Sequence, residues 1–175
     1  SATANGKRGV VVNLASTNPE GWKKAKPDFS GKPTDAVIYE LHVRDLSMDK
    51  SAPFPASVRG KFLGLTYSNL KGKSGEPVGI KAIKDLGITH LQLLPIYDFA
   101  SVDELKPTFN WGYDPLNYNV PEGSYSSDPK NPKARIKELK QAIQSLHSQG
   151  IRVVMDVVYN HVYDASSFSQ SKIVP

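Results

Sequence analysis

Three apolar runs organise the chain, and each gives way to polar residues. Ala36–Val43 (Ala-Val-Ile-Tyr-Glu-Leu-His-Val) is rich in β-branched and aromatic side chains and predicts a strand, with Arg44, Asp45 and Ser47 just beyond it. Ile88–Ile96 predicts a second strand and Ile151–Val158 a third. Helical periodicity fills the intervals. Over Glu76–Leu86 it puts Ile80, Ile83 and Leu86 on one face, and Gly87 stops the helix. Asn131 can cap a longer helix with Pro132 at its first position. Ile136, Leu139, Ile143 and Leu146 form its apolar stripe, and Gly150 ends it. Two long loops remain, residues 48–75 and 97–130. Ahead of the first strand, Gly9–Leu14 suggests one further short strand, and Ser16–Thr34 is an irregular connection rich in Pro, Gly, Lys and Ser.

The order is strand, loop, helix, strand, loop, helix, strand. Alternation of this kind predicts an α/β fold with a parallel sheet and right-handed crossovers. Three strands cannot close a barrel. They can begin an eight-stranded barrel or form half of a doubly wound sheet. No Gly-x-Gly-x-x-Gly follows any strand and no Walker phosphate loop is present, so nucleotide binding has no support. Long loops after the strands, with short returns, favour the barrel.

Composition narrows the class. With 39% hydrophobic and 22% charged residues the chain is globular rather than disordered. No apolar run approaches the roughly 20 residues a membrane span needs, which excludes a membrane partner of that kind. Residues 1–13 lack the apolar core of a signal peptide and read like the interior of a longer chain. The net charge of +5 is spread among acidic residues, as in Lys137-Glu138-Leu139-Lys140. No Lys or Arg is interleaved with the aromatics around Trp111, which argues against nucleic acid as a partner. The absence of cysteine excludes disulfides and thiolate metal sites without fixing a compartment.

Two segments carry candidate chemistry. The loop after the second strand holds Phe109-Asn110-Trp111-Gly112-Tyr113-Asp114-Pro115 and then Tyr118, four aromatics within ten residues. Sugars present apolar C–H faces rimmed by hydroxyls. Aromatic rings cover the first, and amides and carboxylates bind the second. The alternative is a loop that folds its rings back onto the helices. The third strand closes on Asp156-Val157-Val158-Tyr159-Asn160-His161, where α/β folds place their chemistry. An inward Asp there needs a partner. It is either part of a polar floor under a substrate or a buried group that satisfies loop amides. His42, inside the first strand, reads as structural.

Together these segments resemble the alpha-amylase clan of glycoside hydrolases, and within it the type I pullulanases. Asp156–His161 is similar to the first conserved motif of the clan. Asn110–Pro115 is similar to the segment that marks type I pullulanases, where Tyr is usual at the position of Phe109. Tyr39–Asp45 resembles the first barrel strand of those enzymes, and Gly79–Pro95 the first helix and second strand. The resemblance covers about Asp35 to the end. It implies the first three β/α units of a (β/α)8 TIM barrel over residues 35–175, with residues 1–34 a linker from a preceding β-sandwich domain.

The implied reaction is retaining hydrolysis of α-1,6 linkages in pullulan and branched α-glucans, including branched maltooligosaccharides. In that family the catalytic carboxylates follow strands four, five and seven, so none is expected in this chain. The substrate-binding residues are expected here. By resemblance, Tyr113 stacks on the sugar whose bond is cleaved, Asp114 and His161 bond hydroxyls, Asp156 organises the site from below, and Trp111 and Asn110 line the cleft. No cofactor is expected, with calcium at Asn160 the open alternative. The end at Pro175 falls in a loop the clan often elongates. That predicts a nicked or split enzyme whose partner is the complementary C-terminal chain. The other expectation is an isolated α-glucan-binding fragment without activity.

Overall fold

The computed structural model describes residues 4–6, 8–22 and 26–166. Three strands form a parallel sheet: β1 (Ile38–Leu41), β4 (His90–Leu93) and β7 (Arg152–Met155), in the order β1-β4-β7. Their register is flush. Ile38 pairs with His90 and His90 with Arg152, and at the other end Leu41 pairs with Leu93 and Leu93 with Met155. Each strand is shorter than its apolar run, because the outer residues of each run enter loops while still packing.

Alternation along β4 divides the sheet. Leu91 and Leu93 are fully buried, in one cluster with Leu41, Ile80, Ile83, Leu139, Ala142, Leu146 and Ile151. Burying each of the Leu and Ile side chains contributes on the order of 1.5–3 kcal/mol before entropy. His90 and Gln92 face the other way and are half-buried, and Gln92 Nε2 donates to Glu40 Oε1 across the strands at 3.1 Å.

The long helix α3 (Pro132–Ser148) forms as its sequence predicts. Asn131 Oδ1 accepts from the Lys133 amide at 3.0 Å, Pro132 occupies the first turn, and Gly150 leaves the helix at φ +79°. Its buried face is not the expected aliphatic stripe. Leu139 and Leu146 are buried, but with them are Arg135, Glu138 and Ala142, while Ile136 and Ile143 are half-buried. The helix therefore packs a polar stretch as well as an apolar one.

The shorter helix departs further from expectation. Pro77–Val78 (β3) pairs antiparallel with Leu70–Lys71 (β2), so residues 76–78 belong to a hairpin and α2 runs only from Ile80 to Asp85. Ile80 and Ile83 face the core, but Leu86 lies past the last helical residue and is 65% exposed.

The two long loops are not irregular. The first opens with a single turn, α1 (Asp45–Met48), and buries Phe54, Val58, Phe62 and Leu65. Arg59 donates to the carbonyls of Asp49, Phe54 and Ala52 and holds this loop together. The second loop contains an antiparallel pair, β5 (Tyr97–Phe99) and β6 (Pro115–Pro121). The loops share a core, since the Tyr125 ring meets the edges of Phe62 at 5.4 Å and Phe99 at 5.9 Å. No strand forms over 9–14. Leu14–Thr17 is a short 3-10 turn and Val11 is fully exposed. This lead-in lies along α3, where Lys140 Nζ donates to Leu14 O, Thr17 Oγ1 and Asn18 Oδ1. No helix among the described residues is long and apolar enough to cross a membrane.

The contrast between two leucines tests this packing. Leu146→Ala should lower unfolding free energy by about 2–5 kcal/mol. Leu86→Ala should cost less than about 0.5 kcal/mol. Urea denaturation of the two variants measures both, and equal losses would contradict the placement of Leu86.

Candidate functional site

Because the strands end flush, the residues after them meet at one edge. His42 follows β1, Leu94 and Pro95 follow β4, and Asp156 follows β7. The β5–β6 pair carries the aromatic loop over this edge. Gly112 is the close point. Its φ is +91°, and a Cβ there would lie 2.7 Å from the Pro95 carbonyl oxygen. Only glycine lets the loop pass so near β4.

Three of the expected site residues converge there. The Tyr113 hydroxyl donates to Asp156 Oδ2 at 2.7 Å, and His161 Nε2 lies 2.7 Å from the Tyr113 carbonyl oxygen. Since a carbonyl only accepts, Nε2 carries hydrogen, and His161 Nδ1 accepts from Asn160 Nδ2 at 3.0 Å. Burial, with the Asp156 contact second, pushes the Tyr113 phenol up to about 12, so it remains a donor at neutral pH. The loop and the end of β7 thus form one unit.

Asn110 and Asp114 make a second group through Ser101. Asp114 Oδ2 accepts from the Ser101 amide at 2.7 Å, and Asn110 Nδ2 donates to the Ser101 hydroxyl at 2.9 Å. Asn110 Oδ1 also accepts from the Gly112 amide at 2.7 Å. Trp111 is 60% exposed, with the Phe109 ring edge-on at 5.2 Å and the His42 ring edge-on at 6.5 Å. Tyr113 is 43% exposed. Both rings stand open at the edge of the sheet, so the loop does not fold them back onto the helices.

Beneath the loop lies a buried charge cluster with no signature in the sequence. Arg135, fully buried, donates from both terminal nitrogens to Glu104 at 3.0 and 2.9 Å, and its Nη1 lies 3.5 Å from Asp98 Oδ1. It also donates to the carbonyls of Pro121 and Pro129. Glu122 accepts from the Phe99 amide at 3.0 Å and the Ser124 amide at 2.7 Å, and Asn117 Nδ2 donates to Asp98. Within α3, Arg135 sits in a run of charged residues that reads as solvated, which hides its role.

Asp98, Glu104 and Glu122 bring carboxylate oxygens within 4.8 Å of one another, a set that can in principle hold a metal ion. A guanidinium already supplies the positive charge, with a two-pronged contact to Glu104. The set fits Arg135 and not an added calcium ion. Asn160, the other candidate, uses its Nδ2 on His161, which leaves the role of its side-chain oxygen open.

A scan of family models matches alpha amylase, catalytic domain, over residues 73–173. The chain belongs to the alpha-amylase family. Among curated members it is 45% identical to pullulanase of Bacillus subtilis over 99% of this chain and 24% of that protein. It is 35% identical to a chloroplastic pullulanase of Arabidopsis thaliana, over 99% of this chain and 21% of that protein. A crystal structure of pullulanase from Paenibacillus barengoltzii, complexed with maltohexaose and alpha-cyclodextrin, superposes with a TM-score of 0.93 at 56% identity. The match covers 99% of this chain and 27% of that one. Pullulanase from Bacillus acidopullulyticus gives a TM-score of 0.91 at 49% identity, over 99% and 22%. The resemblance to the N-terminal part of the type I pullulanase catalytic domain is therefore borne out, and the parallel α/β sheet fits part of a TIM barrel. This alpha-amylase family chain spans about a quarter of the length of the relatives it matches.

The charge cluster predicts a pH dependence. Burial raises Glu122 from 4.5 to about 8 against the pull of two amides, and burial raises Asp98 from 3.8 to about 6, with Glu104 adding and Asn117 and Arg135 opposing. The folded chain holds protons that the unfolded chain has released. This contribution is complete below the ordinary carboxylate values and lost as pH rises through the folded ones. Stability should therefore fall by roughly 5 kcal/mol between pH 5 and pH 9, most of it from Glu122. Glu122→Gln should flatten that decline in urea titrations, and an equally steep decline in the variant would contradict it.

Proposed function

We propose that this chain is the substrate-binding part of a debranching glycoside hydrolase acting on α-1,6-glucosidic linkages in pullulan and branched α-glucans. The observation that carries the reading is the Tyr113–Asp156–His161 unit, beside two open aromatic rings. An aromatic platform set against a polar floor suits a pyranose, whose apolar face stacks while its hydroxyls bond. The pullulanase relatives, and the maltooligosaccharide bound to the Paenibacillus enzyme, support the same substrate class.

In this reading residues 35–175 form the first three β/α units of a (β/α)8 barrel, and residues 1–34 are a connection from a preceding β-sandwich domain. Tyr113 stacks on the sugar at the cleaved bond. Asp114 and His161 bond its hydroxyls or those of a neighbour, His161 by exchanging the Asn160 contact at Nδ1 for a sugar hydroxyl, with Asp156 fixing Tyr113 from below. Trp111 and Asn110 line the cleft. The retaining mechanism uses a carboxylate nucleophile and a carboxylic acid that protonates the leaving oxygen. Both lie in the complementary C-terminal part, with the remaining strands. The half-buried face of His90 and Gln92 supports this, because a parallel sheet is covered on both faces. A second reading, a separate α-glucan-binding fragment, rests on the exposed Trp111 and Tyr113 rings. Titration of the isolated chain with maltotriose distinguishes the two, since binding requires that the platform be complete in this chain.

In the intact enzyme, Tyr113→Ala and His161→Ala should each lower kcat/KM on pullulan by about tenfold to a hundredfold, with melting temperature within a few degrees. Reducing-sugar assays and thermal melts measure these. Full activity in both variants would refute the assignment, and loss of activity together with collapse of the melt would mark them as core residues.

A further inference from the structure

His42 belongs to no expected site, yet it touches the aromatic loop at every residue from Phe109 to Trp111. It follows the last residue of β1, so the sheet fixes its backbone. The side chain is almost wholly buried. Nε2 lies 2.7 Å from the Asn110 carbonyl oxygen, and the ring stacks on Phe109 at 5.0 Å with 25° between planes. Trp111 meets the same ring edge-on at 6.5 Å. From below, the Tyr125 hydroxyl is 3.3 Å from Nε2 and the Tyr125 ring is edge-on at 6.0 Å. Among the described residues Nδ1 has no hydrogen-bond partner, and Asp45 Oδ1 lies 3.9 Å from it.

These contacts have one direction. The Asn110 carbonyl accepts only, so Nε2 donates to it. Asn110 then accepts from the Gly112 amide through its side chain, and Tyr113 follows. We infer that His42 is a positioning residue for sugar binding, which sets the height of Trp111 and Tyr113 over the sheet edge by gripping residues 109–111 from beneath. This rests on the sugar-binding role proposed for Tyr113.

The test uses the intact enzyme on pullulan, with maltotriose as the binding probe. The side-chain amide of His42→Gln reaches the place of Nε2 and can still donate to Asn110, whereas that of His42→Asn is too short. KM and the maltotriose Kd should rise about tenfold in His42→Asn and about threefold in His42→Gln, with kcat within about threefold of the parent in both. In a Tyr113→Ala background His42→Asn should add little further, since both act through one loop. Should neither His42 variant fold, Phe109→Leu decides, because that ring is partly exposed and its loss spares the core. It should raise KM by about threefold. Unchanged KM in the folded variants, a fall in kcat alone, or full additivity with Tyr113→Ala would overturn the inference. If Tyr113→Ala itself leaves maltotriose binding intact, the sugar-binding reading fails first, whatever His42 does.

Discussion

A buried guanidinium anchors the loop that carries the aromatic cluster. Arg135 is fixed by α3, and its contacts reach Glu104, Asp98 and the carbonyls of Pro121 and Pro129. Those partners span both ends of the β5–β6 segment. Removing the cation would leave several carboxylates facing one another out of water, which costs far more than the pair contributes as attraction. The cluster is therefore a poor source of stability and a strong constraint on geometry. The constraint acts at the root of the aromatic loop, because Asp98 and Glu104 lie on the stretch of chain that leads into it.

The sheet supplies the other half of the alignment. A flush register brings His42, Pro95 and Asp156 to one level, and each meets the same loop from a different strand. The candidate site needs no long-range lever. It is a loop laid across three strand ends and fastened at each.

Legibility in the sequence followed the physics of each element. The three parallel strands and α3 were readable because apolar runs, an Asn-Pro cap and a terminal glycine are local signals. α2 was over-extended because Pro77–Val78 pairs with Leu70–Lys71, a contact that periodicity in one window cannot register. Leu86 departs from the stripe because the helix stops at Asp85 and Leu86 falls at its C-cap, turned outward. The loop motifs are visible as motifs, and the fold brings Tyr113, Asp156 and His161 into contact. Arg135, Glu104, Asp98 and Glu122 were invisible, since burial of a charge depends on partners far along the chain. His42 looked structural in isolation, and its contacts with Phe109, Asn110 and Trp111 emerge only once the loop is folded over it.

Gly112 has a consequence for anyone who would re-shape this cleft. Its backbone is pressed against Pro95 in a conformation that side chains resist, so it acts as the fulcrum of the loop. Diversified libraries can vary the rings on either side and change the surface they present. A library that includes residue 112 would spend most of its members lifting the whole platform away from the sheet.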